Sequence, residues 1–250
     1  MAVMDEFREE REALKNGTFK EKLIYFWDYY KWYVIGGIGI LLFAGSMIYE
    51  IATRKEVAFN AILLNASPMT EDTTYQQDFA AYAGIDLNKL DIFFDTSIRI
   101  TEGSMDETSY TSTEKLMVYT AAGELDIMAS DTDSFRKYAN SYTFYDLRNI
   151  LSPEQLEQYE PYFYYVDLTV VDKIEEANNN LDESFQPKYP DPRKPEEMET
   201  PVPVGIYLND CDKLKETFYF RGDEIVLGVY ANTNHLDTTL QYIDFVMADE

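Results

Sequence analysis

A long apolar stretch near the N-terminus constrains this chain more than any other feature. Residues 33–49 read YVIGGIGILLFAGSMIY and contain no charged side chain. As a helix they would be about 25 Å long, at the short end of what crosses the hydrocarbon core of a bilayer. Aromatic residues crowd one end and Tyr49 marks the other, which is typical of the two membrane interfaces. A buried core helix is the alternative, but the glycines at 36, 37 and 39 disfavour a helix in water, so we predict a transmembrane helix.

The charges on either side of this stretch predict its orientation. Basic residues lie mainly before it, with Lys15, Lys20, Lys22 and Lys31 on that side and Arg54 and Lys55 on the other. The positive-inside rule then places the N-terminus in the cytoplasm and the rest of the chain outside. About thirty residues precede the stretch, which is too many for a cleaved signal peptide, so an uncleaved signal-anchor is favoured. We expect a charged cytoplasmic segment at 1–22, a juxtamembrane and transmembrane helix at 23–50, and an extracytoplasmic domain at 51–250.

The apolar stretch predicts an anchor and no further activity. It contains no Gly-x-x-x-Gly motif, so it predicts no strong dimer face. It also contains no charged residue that would mark a transport path through the membrane.

Composition excludes several classes of partner and site. The formal net charge of −25 creates a field that repels nucleic acid and anionic lipid, so we predict no nucleic-acid partner. The acidity alternatively serves solubility alone. Cys211 is the only cysteine, so an intrachain disulfide is excluded, which suits an exported bacterial protein that does without disulfides. The only histidine is His235, which excludes a His-rich metal site.

Strand and helix patterns alternate after the apolar stretch. Strands are predicted at 57–64, 90–94, 125–129, 162–166, 204–208 and 224–230, and helices at 72–83, 112–122, 213–218 and 236–247. The strands are mostly apolar rather than alternating between apolar and polar residues, which is typical of strands that are buried on both faces. This order predicts an α/β domain with a mostly parallel sheet. The segment 172–203 is rich in prolines and acids and predicts an irregular excursion.

Two segments carry a resemblance to a known family. Residues 123–131 read GELDIMASD and are followed by FYDL at 144–147, while residues 229–235 read VYANTNH and lead into the last helix. These segments resemble the extracellular solute-binding proteins of ABC importers, over residues 57–160 and 204–247. Such proteins have two lobes, and too few residues separate the two segments for a second lobe. The resemblance therefore implies one lobe-like domain on a membrane stalk, a layout similar to anchored surface proteins of gut-type Firmicutes.

Polar residues at strand ends are the candidates for a binding site, because ligands of open α/β sheets bind at the carboxyl ends of the strands. The tentative ligand-binding residues are Ser67, Ser130, Asp131 and Asn232. The same rule selects Asn65, Asp95, Asn209 and Asp210. Residues 130–131 precede a predicted helix whose free N–H groups suit an anion or a sugar hydroxyl, although the two residues alternatively only cap that helix. The acidic residues at 172–183 do not have the spacing of a calcium loop, so we predict no metal and no cofactor.

The chain contains no common catalytic motif. Gly-x-Ser-x-Gly, the phosphate-binding P-loop, His-Glu-x-x-His and Ser-x-x-Lys are all absent from the sequence. His235 lies where the last helix should start, and we interpret it as a capping-region residue. An enzyme would need a concave site in which Cys211 or His235 meets a carboxylate. We therefore predict that the chain is not an enzyme.

Two functional hypotheses remain. The first is a single-pass, membrane-anchored extracytoplasmic binding protein for a small solute or for an envelope partner. The alternative is a structural or scaffold membrane protein whose domain binds no small molecule and whose charged N-terminal segment docks a cytoplasmic partner. A pocket lined by the four tentative residues would favour the first hypothesis, and a filled domain with an exposed apolar patch would favour the second.

Overall fold

A computed structural model of the chain describes residues 18–70, 73–101, 103, 106–182, 184–208 and 211–248. Residues 1–17, which make up most of the predicted cytoplasmic segment, lie outside the described residues, as do the candidates Asn209 and Asp210. The chain divides into two compact units, residues 1–54 and residues 55–250. This division lies four residues beyond the predicted boundary.

The described part of the first unit is one continuous helix, α1, from Phe19 to Thr53. Its segment Tyr30–Thr53 is long and apolar enough to cross a membrane, and it is the one helix among the described residues with that property. The predicted apolar stretch therefore lies inside a longer helix of 35 residues, which is about 52 Å in length.

The second unit alternates strands and helices, as the sequence predicts. Its strands are β1 (Glu56–Leu63), β2 (Ser67–Pro68), β3 (Leu90–Asp95), β4 (Ile127–Asp131), β5 (Phe163–Asp167), β6 (Pro201–Tyr207), β7 (Phe218–Tyr219) and β8 (Ile225–Val229). Its α-helices are α2 (Thr74–Ala83), α3 (Glu107–Ala122), α4 (Thr132–Ala139), α5 (Pro153–Tyr159), α6 (Leu168–Asn179), α7 (Asp212–Thr217) and α8 (Leu236–Met247). The α/β class is confirmed.

The main sheet of the described domain is mixed. Its six strands lie in the order β3-β1-β4-β8-β6-β5, and β2 pairs with β7 separately. The β3-β1-β4 half is parallel, whereas β8 is antiparallel to both β4 and β6, and β5 is antiparallel to β6. The prediction of a mostly parallel sheet thus holds for that half alone. Apolar strands reveal burial on both faces but not direction, because parallel and antiparallel central strands are equally apolar.

Helices cover both faces of the main sheet, so the domain has two cores. On one face, Phe59 of β1 packs against Phe79 of α2 and Tyr242 of α8, with ring centroids 5.1 and 4.8 Å away. On the other face, Phe135 of α4 stacks flat on Phe144 at 4.8 Å. This alternation of side chains along each strand explains the continuous apolar runs in the sequence.

The predicted excursion at 172–203 is shorter in the structure. Residues 172–179 belong to α6 and residues 201–203 to β6, which leaves 180–200 as the irregular part. This part is attached to the sheet at several points. The guanidinium of Arg193 lies 3.6 Å from the centroid of the Tyr207 ring and contacts the Glu224 carboxylate at 2.5 Å. The N–H of Tyr165 in β5 also donates to the carbonyl of Pro192 at 2.9 Å, so the segment covers a sheet edge.

Asp167 at the end of β5 holds both ends of this region. Its carboxylate accepts N–H groups from Thr169 at 3.1 Å, Glu199 at 2.9 Å and Thr200 at 3.0 Å. Burial raises the pKa of Asp167, but these three N–H donors outweigh the effect of burial and lower the pKa below its ordinary value. The ionised carboxylate is therefore the form that stabilises the fold.

We expect Asp167→Ala to destabilise the domain by about 2 kcal/mol at pH 7, because three charge-assisted hydrogen bonds are lost and their backbone N–H donors lose their acceptor. The wild-type carboxylate contributes fully above about pH 4, and its contribution is lost as the pH falls through the lowered pKa of the folded state. Denaturant unfolding should therefore show that the wild type and Asp167→Ala differ in their free energy of unfolding at pH 7 and differ less at pH 3. Glu176→Ala, on the exposed face of α6, is the matched control. A difference that stays constant down to pH 3 would contradict this role.

Candidate functional site

A cleft opens at the carboxyl ends of the parallel strands β1 and β4. Its volume is about 1010 Å³. Leu64 and Asn65 follow β1, Asp131 ends β4, and Ile100 and Thr101 come from the loop after β3. The first turns of α3 and the outer face of α4 form two walls. This is the edge of an α/β sheet where ligands bind, and its volume suits a small organic molecule.

Asn65 organises the floor of the cleft. Its backbone is in the left-handed region, with φ 59°, which asparagine tolerates better than most residues. Its side-chain amide donates to the carbonyl of Ile100 at 2.9 Å and to Ser134 Oγ at 3.0 Å, and its Oδ1 accepts the N–H of Ile100 at 2.8 Å. One side chain thus joins the end of β1, the loop after β3 and helix α4.

Further hydrogen bonds fix the two walls. Asp131 caps α4, because its carboxylate accepts both the N–H of Ser134 at 3.0 Å and the hydroxyl of Ser134 at 2.8 Å. On the other side, Ser109 Oγ of α3 accepts the N–H of Thr101 at 3.2 Å, and Ser112 Oγ accepts the N–H of Arg99 at 3.2 Å. The cleft is therefore built on a connected polar network that holds its shape without a ligand.

Two cations line the cleft without an ion pair to the described residues. Lys137 projects from α4, where its ammonium lies 5.9 Å from the centroid of the Tyr138 ring. Arg221 comes from the loop before β8. The backbone of Gly222 lies so close to Asp131 that an added Cβ would stand 2.9 Å from the Asp131 Cβ, which holds this loop against the rim. Three carboxylates, Glu107, Asp131 and Asp133, line the same cleft, so the lining carries charges of both signs.

Two tyrosines add neutral phenol groups to the lining. Burial raises the pKa of Tyr138 to about 12. A hydrogen bond to the Glu114 carboxylate raises the pKa of Tyr110, which is exposed at the rim. Both phenols therefore keep their protons at neutral pH, and their rings offer faces for stacking against a planar or sugar ligand.

The structure does not bring the four tentative residues together. Asp131 lines the cleft, in its capping role. Ser130 is fully buried, and its hydroxyl donates to the carbonyl of Asp131 at 3.1 Å. Ser67 Oγ accepts a hydrogen bond from Arg99 at 3.0 Å beside the cleft rather than in its lining. Asn232 lies at the opposite edge of the sheet, where the amino ends of β1 and β4 are. The reason is that β8 runs antiparallel to β4, so its carboxyl end lies beside the amino end of β4.

The segments that carry the family resemblance meet at that opposite edge. The Asn232 amide donates to the carbonyl of Thr120 at 2.5 Å, and the Asn234 amide donates to the carbonyl of Gly123 at 2.9 Å. Gly123 caps α3 with φ 67°, and an added Cβ would lie 3.2 Å from the carbonyl oxygen of Asn232. These residues join the end of α3 to the loop that follows β8, which is a structural role.

Asp126 lies at the centre of the same edge and is fully buried. Its carboxylate accepts the N–H of Asn60 at 2.7 Å and the hydroxyl of Thr233. His235 Nδ1 also lies 3.1 Å from it, so the only histidine of the chain does meet a carboxylate. Neither residue lines the cleft, and the carboxylate is already occupied by structural donors. We read the pair as a brace for the loop before α8.

The other residue considered for catalysis is Cys211, which is buried in the core with Leu214 and Tyr242. Its thiol is thus a packing group rather than an accessible nucleophile. Among the residues that the structure describes, no three His, Cys, Asp or Glu side chains converge as a metal site would require.

Sequence reasoning missed most of the lining, including Lys137, Tyr138 and Arg221. Lys137 and Tyr138 lie on a helix face, and Arg221 lies in a loop distant in sequence. The rule for strand ends selects only the residues that directly follow a strand, so side chains contributed by helices and by an antiparallel neighbour escape it. Comparison with protein-family models, with curated proteins and with solved structures found no match to this chain.

Proposed function

We propose that this chain is a membrane-anchored binding protein whose domain takes up a small solute in the cleft described above. The observation that carries the proposal is the cleft itself. It lies at the ligand-binding edge of the sheet, its walls are held by their own hydrogen bonds, and it presents Lys137 and Arg221 without ion pairs to the described residues. The ion pairs among the described residues do not use these two side chains, so both can contact a solute.

The anchor in this proposal is α1. Its segment Tyr30–Thr53 has the length and composition of a single membrane span. The excess of lysines before the span supports a cytoplasmic N-terminus and an extracytoplasmic domain. A binding domain held in this way would meet solutes from outside the cell.

The lining supports a polar solute that carries both an acidic and a basic group, because Glu107, Asp131 and Asp133 line the cleft together with Lys137 and Arg221. Lys137 and Arg221 would bind the acid, Tyr110 and Tyr138 would stack on or donate to the rest, and Asn65 and Thr101 would offer further hydrogen bonds. The domain would act as one lobe of the solute-binding fold that the sequence resembles. Because a single lobe leaves part of the solute in water, we expect weaker affinity than in a closed two-lobed trap.

We expect the fragment 55–250 to gain thermal stability with one chemical class in a screen of organic acids, amino acids, sugars and short peptides. A solute at about 100 times its Kd stabilises the folded state by about 2.7 kcal/mol, or about 5–10 °C for a domain of this size. The double variant Lys137→Ala/Arg221→Ala should fold normally and lose most of that shift. Lys173→Ala/Lys188→Ala is the control for overall charge and should keep the full shift.

A flat screen on a well-folded fragment would contradict solute binding. Retention of the shift by the Lys137→Ala/Arg221→Ala variant would instead place the solute outside the cleft.

A second candidate function, a scaffold, is favoured by one observation. Helix α3 presents Tyr110, Met117 and Val118 to solvent, each with 64–65% of its surface exposed. The spacing of these residues puts them on one face of the helix. An exposed face of this kind, which also carries Glu114, suits a protein partner in the envelope. In cross-linked membranes, Met117→Glu/Val118→Glu should then remove a partner of defined mass while leaving any solute-induced shift unchanged.

A further inference from the structure

Helix α1 extends well beyond its membrane-spanning part. It begins at Phe19, whereas the candidate span begins at Tyr30. Along the helix axis, Leu23 lies about 10 Å and Phe19 about 16 Å before Tyr30. The headgroup layer on one side of a bilayer is only about 5–8 Å thick. Phe19 and Leu23 therefore stand in water, beyond the reach of lipid.

The apolar residues of this projecting part include a series in heptad register, and Ile24 and Trp27, which are 52% and 53% exposed, lie outside that series. Phe19, Leu23, Phe26, Tyr30 and Tyr33 follow one another at alternating intervals of four and three residues, and 41–82% of each residue is exposed. The Phe26 and Tyr30 rings stack with their centroids 5.3 Å apart, so these neighbours already form a continuous strip. Lys20, Lys22 and Lys31 lie outside the strip. The pattern is the a/d repeat of a coiled coil.

The repeat continues through the membrane without a break in register. Gly37, Ile40, Ala44, Met47 and Ile51 extend the same four-three spacing to the end of α1. We call the whole series from Phe19 to Ile51 the heptad stripe. Inside the membrane most residues are apolar on every side, and small residues also lie off the stripe, at Gly36, Gly39 and Gly45. On the stripe, Gly37 and Ala44 are seven residues apart, where they let a second helix approach closely.

The arm continues a helix that the membrane-spanning part has already nucleated, but its apolar residues are exposed to water. These residues need a cover that lipid does not supply. The cover must be a helix that crosses the same membrane, because the stripe is continuous from water into the bilayer. It must also match the four-three repeat over the full length of α1.

We propose that the heptad stripe pairs two copies of this chain through a parallel, left-handed α1–α1 coiled coil. A second copy satisfies every requirement by symmetry, because two copies with the same membrane orientation place identical layers side by side. A contact strip about 50 Å long and about 10 Å wide would bury about 1,000 Å² in total, which is at the lower limit for a biological interface. The absence of Gly-x-x-x-Gly excludes only a different, right-handed packing.

Cysteine cross-linking of the full chain in native membranes tests this geometry. Cys211 is buried, so the wild type serves as the background. Single cysteines at Phe19, Leu23, Phe26 and Tyr30 lie on the stripe, whereas Ile24→Cys and Trp32→Cys lie off it and are the matched controls. With an aqueous oxidant we expect the stripe variants to give a severalfold higher yield of disulfide-linked dimer than the controls. Adding Gly37→Ile to Phe26→Cys should lower that yield severalfold.

Three outcomes would overturn the proposal. They are a yield that does not depend on position, a maximum at the control positions, and cross-linked products of another mass. The inference depends on α1 as an anchor but not on the cleft. Resistance of the chain to alkaline extraction from membranes reports the anchor separately, so failure of the pairing and failure of the anchor are distinguishable.

Discussion

Asp126→Ala is expected to destabilise the domain by about 3–5 kcal/mol. The Asp126 carboxylate is fully buried and accepts hydrogen bonds from Asn60 and Thr233, with His235 Nδ1 alongside at 3.1 Å. Alanine would leave these donors without an acceptor inside the fold, which costs far more than the loss of an exposed contact. The loop before α8 would lose its side-chain contacts with residue 126, whereas the backbone hydrogen bonds of that residue with Asn60 and Tyr230 would remain.

Thermal unfolding of the fragment 55–250 measures this effect. A loss of 3–5 kcal/mol corresponds to a fall in Tm of about 6–20 °C for a domain of this size. Asp126→Asn keeps one acceptor and should lower Tm by less. Asp223→Ala removes an exposed carboxylate and should leave Tm within about 2 °C of the wild type. If the Asp126→Ala and Asp223→Ala variants melt together, Asp126 does not have the bracing role assigned to it.

Phe135→Ala should have an effect of similar size, about 3–5 kcal/mol, together with weaker solute binding. The Phe135 ring is fully buried, stacks on Phe144 and meets Tyr164 edge-on at 5.2 Å. Added Cβ atoms at Gly205 and Gly228 would lie 2.8–2.9 Å from this ring, so the sheet carries glycine where the ring rests on it. Truncation would leave a large cavity beneath α4. Since α4 forms one wall of the cleft, that wall would lose its packing contact with the sheet.

Two measurements separate these effects. The Tm of the variant should fall by about 6–20 °C. The rise in Tm that the solute causes should also be smaller in the variant than in the wild type. Phe93→Ala is the matched control, because Phe93 is 46% exposed and its truncation should cost less than about 1 kcal/mol. If folded Phe135→Ala keeps the full solute-induced rise in Tm, the packing beneath α4 does not affect solute binding.

Features encoded by neighbouring residues were predictable from the sequence. Helix α8 begins and ends at the predicted residues, 236 and 247. Helix α5 has a local start signal, with Ser152 accepting the N–H of Gln155 and Pro153 in the first turn. Gly123 ends α3 in the left-handed conformation. Each of these depends on interactions within one helical turn, which a local pattern records directly.

Features set by pairing between distant segments were not predictable. The direction of β8 depends on its partners β4 and β6, and residue patterns do not report that choice. This one direction moved Asn232 to the opposite edge of the sheet from Asp131 and brought Arg221 to the cleft instead. The start of α3 at Glu107, earlier than predicted, has a related cause. Ser109 and Ser112 face inward to bond the loop after β3, so the buried side of that turn looks polar in the sequence.

The place of β8 in the sheet also bears on how the domain is made. This strand is late in the chain, at Ile225–Val229, yet it lies between β4 and β6 in the middle of the sheet. Until it is in place, β4 and β6 have unsatisfied edges, and the two halves of the sheet have no common strand. A chain synthesised from its N-terminus therefore completes its core only after almost all of it has been made. Loss of the last thirty or so residues would leave an aggregation-prone, unfinished sheet rather than a smaller working domain.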